Sequence, residues 1–122
     1  MNSTYPAMDI RHDQNYIAVL HRIASNCRAI ITYHVGMPLG CVRMQKMFLR
    51  LAPRRNLGFP IFAEYLDAVR QFAIGVDRLQ WNREALFEQD QKLEEINGSF
   101  RDRVHAACHD ILALLKAEGI AG

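Results

Sequence analysis

Two histidines four residues apart, His105 and His109, have a type and spacing that suggest chemistry. On a helix, positions i and i+4 share a face, so both imidazoles would point the same way, as zinc-binding pairs do. Asp102 lies three residues before His105 on a compatible face, and Cys108 adjoins the pair. Cys27 and His34 sit seven residues apart and would offer further ligands from a second helix across a bundle. The set is an outline rather than a motif. It lacks the glutamate of HExxH, and Cys108 fits an apolar stripe better than a ligand shell. The reading is that no metal and no other cofactor is bound.

The same stretch, FRDRVHAACHD over residues 100–110, resembles the motif of HEPN nucleases. That motif has an arginine, a polar residue and, after a spacer of four to six residues, a histidine. Arg101-Asp102 supplies the first two, but only Arg103 and Val104 separate them from His105, so the histidine comes too soon. Arg103 to His109 has the spacing, but Val104 stands where the polar residue belongs. The resemblance covers these eleven residues and implies a small helical ribonuclease using one of the Arg–His pairs.

Other catalytic patterns are absent. There is no P-loop, GxGxxG, GxSxG or paired-carboxylate constellation. His21 and His34 are lone helical histidines, which a phosphorelay would need but which are ordinarily structural or solvated. Met37, Met44 and Met47 suit an adaptable groove, although core packing accounts for them more simply. Cys27, Cys41 and Cys108 are odd in number and widely spaced, so they read as reduced, buried thiols in a cytoplasmic protein.

The strongest signal is basic. Arg43, Lys46 and Arg50 fall on one narrow arc of a helix, and Arg54 and Arg55 follow just beyond its end. Arginine forks grip carboxylate or phosphate in two-point contacts, so such a cluster calls for an anion. No Asp or Glu lies between Asp13 and Glu64. Residues 1–60 carry eight bases and two acids, net +6, whereas residues 61–122 carry seven bases and eleven acids, net −4. Segregation of this kind points to an acidic protein partner, a second copy of the chain, or a nucleic-acid backbone. Two plainer readings stand beside these: a merely solvated face, or pairing with Glu84, Glu88, Asp90, Glu94 and Glu95 of the same chain. Phe48 and Phe59, the nearby aromatics, belong to the core or a loop and make no stacking platform for single strands. Nucleic acid is therefore the second choice.

The elements that must position these residues are helices. Residues 1–12 read as a tail because Pro6 opposes a helix there, and 13–122 as one bundle domain. A first helix, capped by Asp13 or Asn15, runs to about Val35. Ile17, Leu20, Ala24, Cys27 and Ile31 form its stripe, and Tyr16, Ile23 and Ile30 widen it. Gly36 and Pro38 end it. His21, Arg22, Asn26 and Arg28 interrupt this most apolar stretch and exclude a membrane span. The opening residues lack the apolar run of a secretory signal.

A second helix over about Leu39–Ala52 has the arc Cys41, Met44, Met47, Phe48 and Leu51, and Pro53 stops it. A third starts at Pro60 with the stripe Ile61, Tyr65, Val69, Phe72, Val76 and Leu79. It either continues to Ile96 or breaks near Gln80–Asn82. Asn97-Gly98 ends that segment, and Ser99 with Asp102 opens a last helix through a near capping box. Phe100, Val104, Ala107, Cys108, Ile111 and Leu115 face its core side, and Gly119 closes it with Ile120 as apolar follower.

The sum is an all-α, single-domain bundle of four or five helices. Val76, Leu79, Arg83, Leu86, Asp90 and Leu93 make a heptad-like seam interrupted by charge, which suits a polar helix–helix contact between copies. The function expected is that of a non-enzymatic, regulatory interaction module, homo-oligomeric or bound to an acidic protein surface. The alternatives are a small basic subunit on a nucleic-acid backbone and, more weakly, a HEPN-like ribonuclease or metal-binding protein.

Overall fold

In the computed structural model, residues 7–52, 54–70, 72 and 82–120 are described. Among them are four helices and no strand: α1 (Ala7–Ile31), α2 (Met37–Leu51), α3 (Ile61–Val69) and α4 (Arg83–Ala117). The chain is thus an all-α bundle. α1 packs on α2 and α4, and α3 bridges α2 to α4.

α1 starts at Ala7, seven residues before the start that capping by Asp13 implies. The inference from Pro6 was too strict, because proline obstructs a helix only beyond its first turn. The buried face of α1 is Leu20, Ile23, Ala24, Cys27 and Ile30, while Ile17 is 43% exposed. The true stripe is therefore rotated toward residues that the sequence placed at its margin.

α1 ends at Ile31, short of Val35, and the terminator is neither Gly36 nor Pro38. Tyr33 adopts φ 63°, the left-handed conformation that glycine usually supplies. The Tyr33 amide then donates to the Ile30 carbonyl (3.2 Å) and the His34 amide to the Ala29 carbonyl (2.9 Å). This closes the helix as a Schellman turn with a non-glycine residue at its pivot. Gly36 instead caps the start of α2, where Pro38 occupies the first turn. α2 buries Cys41, Met44, Met47 and Leu51 as its periodicity predicts, with Phe48 partly buried.

Gly40 sets how closely α1 and α2 approach. A Cβ there would lie 2.5 Å from Ile30 Cγ1 and 2.9 Å from Ile30 Cδ1. The buried Asn26 amide donates to the Gly40 carbonyl at 2.9 Å, which satisfies its NH2 group in the interior. The two helices run antiparallel from this contact, joined by the short turn over residues 32–36.

α3 is shorter than expected and ends at Val69, while α4 begins at Arg83. Val76 and Leu79 lie outside the described residues. The Asn82 side chain caps α4 by accepting from the Ala85 amide at 2.8 Å. α4 runs 35 residues without the break expected at Asn97-Gly98. Asn97 is held in the helix because its side-chain oxygen accepts a hydrogen bond from the Tyr65 hydroxyl. The Ser99 hydroxyl bonds back to the Ile96 carbonyl (2.8 Å) rather than forward as a cap. Gly98 faces open space, so its cost is its propensity, about 1 kcal/mol, which packing on both sides offsets. The expected end holds: Gly119 (φ 83°) donates to Lys116, and Ile120 donates to Leu115.

The core gathers Leu20, Ile23, Met44, Phe62, Tyr65, Val104, Ile111 and Leu115. Of the expected core residues, Leu20, Cys27, Val104 and Ile111 are fully enclosed, and Phe48 and Phe72 pack against the cluster from its edge. Two outcomes follow for chemical denaturation. Ile111→Ala is expected to cost about 2–5 kcal/mol, because Ile111 is fully buried and its truncation leaves a cavity in the core. Gly40→Ala is expected to cost about 1–3 kcal/mol by overpacking against Ile30, despite alanine's better helix propensity. A neutral or stabilising Gly40→Ala would refute the close approach.

Candidate functional site: a basic groove between α1 and α2

The residue types with the best catalytic credentials do not come together. The Arg101 guanidinium is tied to Glu94 at 2.9 Å, and that of Arg103 lies 4.5 Å over the Phe100 ring. His105 is partly buried against Tyr33, with ring centroids 5.5 Å apart, and His109 is exposed. Neither Arg–His pair of the nuclease-like stretch forms a paired, open site. Cys27 and Cys108 meet in the core instead of facing the histidines, and the His34 ring pairs with the Thr32 hydroxyl at 2.6 Å. Among the described residues, no group of three His, Cys, Asp or Glu side chains is placed to hold a metal ion. No helix among them is long and apolar enough to cross a membrane.

The basic residues do come together, with an addition from α1. The antiparallel register set at Gly40 brings Arg22 of α1 opposite Arg50 of α2, and Ala29 opposite Arg43. Two adjoining hollows of about 570 and 370 Å³ lie along this junction and share Arg22 and Arg50. They form one groove, floored by Val19, Ala29, Met47 and Leu51 and rimmed by Arg22, Arg43, Lys46, Arg50 and Arg54. From Asn15 to Ala29 it runs about 21 Å, at 1.5 Å per residue. Ala18 and Ser25 keep the α1 wall low.

The five predicted basic residues divide into two kinds. Arg43, Lys46 and Arg50 project from α2 into solvent and, like Arg22, form no ion pair with any described residue. Pairing with the acidic residues of the same chain is therefore not seen there. Arg55 is different: its two terminal nitrogens each meet a Glu118 oxygen at 2.6 Å. Its Nη1 also donates to the Tyr16 hydroxyl at 3.2 Å. Arg54 lies 4.2 Å over the Tyr16 ring. Arg55 thus clamps the C-terminal end of α4 to α1, and Arg54 borders the groove as a stacked residue.

In the sequence Arg22 and Asn26 stand out only as polar interruptions of the first helix, not as members of the basic cluster. Their signal is the α1 series Ala18, Arg22, Ser25, Asn26, Ala29, a small and polar edge beside an apolar stripe, and it becomes meaningful only once α2 lies against it.

The titrations of four groups follow the geometry. Hydrogen bonding to Arg55 holds the Glu118 carboxyl below its ordinary range. Burial first, then Arg101 and His109, push the His105 imidazole below its usual 6.5, and Asp102 opposes them. Burial raises the Cys41 thiol to about 12, and a hydrogen bond to Cys108 followed by burial raises Cys27 as well. No family model, curated protein or solved structure matches this chain.

The His105 shift has a stability consequence. The folded state disfavours the imidazolium, so the unfolded chain takes up the proton first as pH falls through about 6.5. Stability should decline from pH 7.5 to 5.5, and His105→Gln should flatten that decline. A nuclear magnetic resonance titration should put the His105 midpoint below 6.5. A midpoint above 6.5 would contradict the buried Nε2.

Proposed function

We propose that this protein is a helical interaction module whose α1–α2 groove receives an acidic, amphipathic helix from a protein partner. The observation that carries this reading is a groove with an apolar floor, on whose rim Arg22, Arg43, Lys46 and Arg50 form no ion pair with any described residue. Each part of that arrangement matches a part of such a helix. Val19, Ala29, Met47 and Leu51 offer contact to apolar side chains at positions i, i+3 and i+4. Arg22, Arg43, Lys46 and Arg50 meet carboxylates at the edges, where charge steers encounter and sets register. The groove's length of about 21 Å accommodates four helical turns.

A nucleic-acid backbone would meet the same charges but leave the apolar floor without a partner. The groove's one ring, Tyr16, already lies beneath Arg54 and beside Arg55, so bases have little to stack on.

The test uses a synthetic helical peptide of about 14 residues with Glu at i, i+4, i+7 and i+11 and leucine on the neighbouring arc. Fluorescence anisotropy should give a dissociation constant in the micromolar range at about 50 mM salt, weakening as salt rises. Replacing Arg43, Lys46 and Arg50 together with Gln should weaken binding at least about tenfold, a loss of roughly 1.4 kcal/mol. Helicity should be unchanged, because exposed charges contribute little to stability. Absence of peptide binding would refute the reading. So would a sub-micromolar duplex-DNA complex at about 150 mM salt that the same substitutions abolish, with a steep salt slope.

A further inference from the structure

We infer that the acidic helix seated in the groove is α4 of a second copy of this chain. The inference rests on the groove reading above and names its partner.

The outward face of α4 supplies the complement. Glu84, Glu88 and Glu95 are all exposed and, at 100° per residue, fall within an arc of about 40°. Gln89, Leu93, Ile96, Phe100 and Val104 turn the other way, into the chain's own core. The acidic stripe is therefore on the side of α4 turned away from the described core. None of Glu84, Glu88 and Glu95 forms an ion pair with a described residue. Glu94, by contrast, is committed to Arg101, and Asp90 is also engaged within the chain.

Spacing matches as well as sign. Arg43 and Arg50 are seven residues apart on α2, and Glu88 and Glu95 are seven apart on α4. Each pair spans about 10.5 Å, two helical turns, so an antiparallel crossing can set both carboxylates against both guanidinium groups at once. In that register Lys46 lies level with Lys92, which stands about 60° round the helix from the centre of the stripe and so beside the contact, and Glu84 lies level with Arg54 one turn further along the groove. Phe87, 63% exposed on the flank of the stripe, is the apolar group that such a helix would lay on the groove floor. The expected seam is revised accordingly. Leu93 packs on the chain's own core, so the contact between copies moves from the Leu86–Leu93 edge to the Glu84–Phe87–Glu95 face.

The test is a charge swap on the full chain. Wild type is expected to associate in sedimentation equilibrium across about 10–200 μM at about 50 mM salt, and to dissociate at about 500 mM. One variant carries Arg43→Glu, Lys46→Glu and Arg50→Glu; the other carries Glu84→Lys, Glu88→Lys and Glu95→Lys. Each alone should be monomeric, since groove and stripe then bear the same sign. An equimolar mixture should regain association in a 1:1 complex, because each groove again faces an opposite stripe. Circular dichroism verifies that both remain helical. If a reversal unfolds the chain, replacing the same residues with Gln serves in its place and should also give monomers.

A wild type that stays monomeric at about 200 μM would overturn the second-copy inference. Continued binding of the synthetic acidic peptide would then show that the groove reading itself survives. Association that persists in both variants, or a mixture that stays monomeric, would equally overturn it.

Discussion

The close approach of α1 and α2 at Gly40 is the contact on which the rest of the arrangement rests. With no side chain at Gly40, Ile30 can occupy the space where a Cβ would stand, and the Asn26 amide can reach the Gly40 carbonyl. A hydrogen-bonded polar group at a tight helix crossing fixes register more strictly than apolar packing does, since sliding by one turn would strand a buried amide. That register decides which residues face each other further along. It sets Arg22 beside Arg50, joins the basic edges of two helices into one rim, and leaves Met47 and Val19 on the floor between them.

Electrostatics supplies the second constraint. The first half of the chain is net positive and the second net negative, yet Arg22, Arg43, Lys46 and Arg50 form no ion pair with any described residue. Arg55 forms a long-range ion pair with Glu118 and, through its bond to the Tyr16 hydroxyl, ties the end of α4 to α1. The remaining groove bases stand close together along α2, near the Debye length of about 8 Å at physiological salt, so their mutual repulsion is only partly screened. A surface held in that condition gains more from an opposite charge than an isolated surface residue does. The same argument applies in mirror image to Glu84, Glu88 and Glu95 of α4.

Much of the fold was legible in the sequence, and the exceptions have physical causes. The arc of α2, the apolar series from Phe100 to Leu115 and the Gly119 terminus follow from local periodicity and backbone preference alone. The continuity of α4 does not, because the Tyr65 bond that holds Asn97 comes from a residue 32 positions away. The end of α1 was misread because a tyrosine took the left-handed conformation that glycine usually provides. The groove was half legible. Arg43, Lys46 and Arg50 share one helix, so their arc is a sequence property. Arg22 joins them only through tertiary packing, and Arg55 leaves them because Glu118 lies 63 residues further along the chain.

The three thiols give this bundle an internal clock. Cys27, Cys41 and Cys108 come from three different helices, are all fully enclosed, and two of them are held protonated well above neutral pH. A thiol in that state reacts with an alkylating reagent only after the helices around it part. Because the three sit in one core, none is released by fraying of a single terminus. The rate at which a folded sample consumes such a reagent therefore reads out how often α1, α2 and α4 separate, without any label having been introduced.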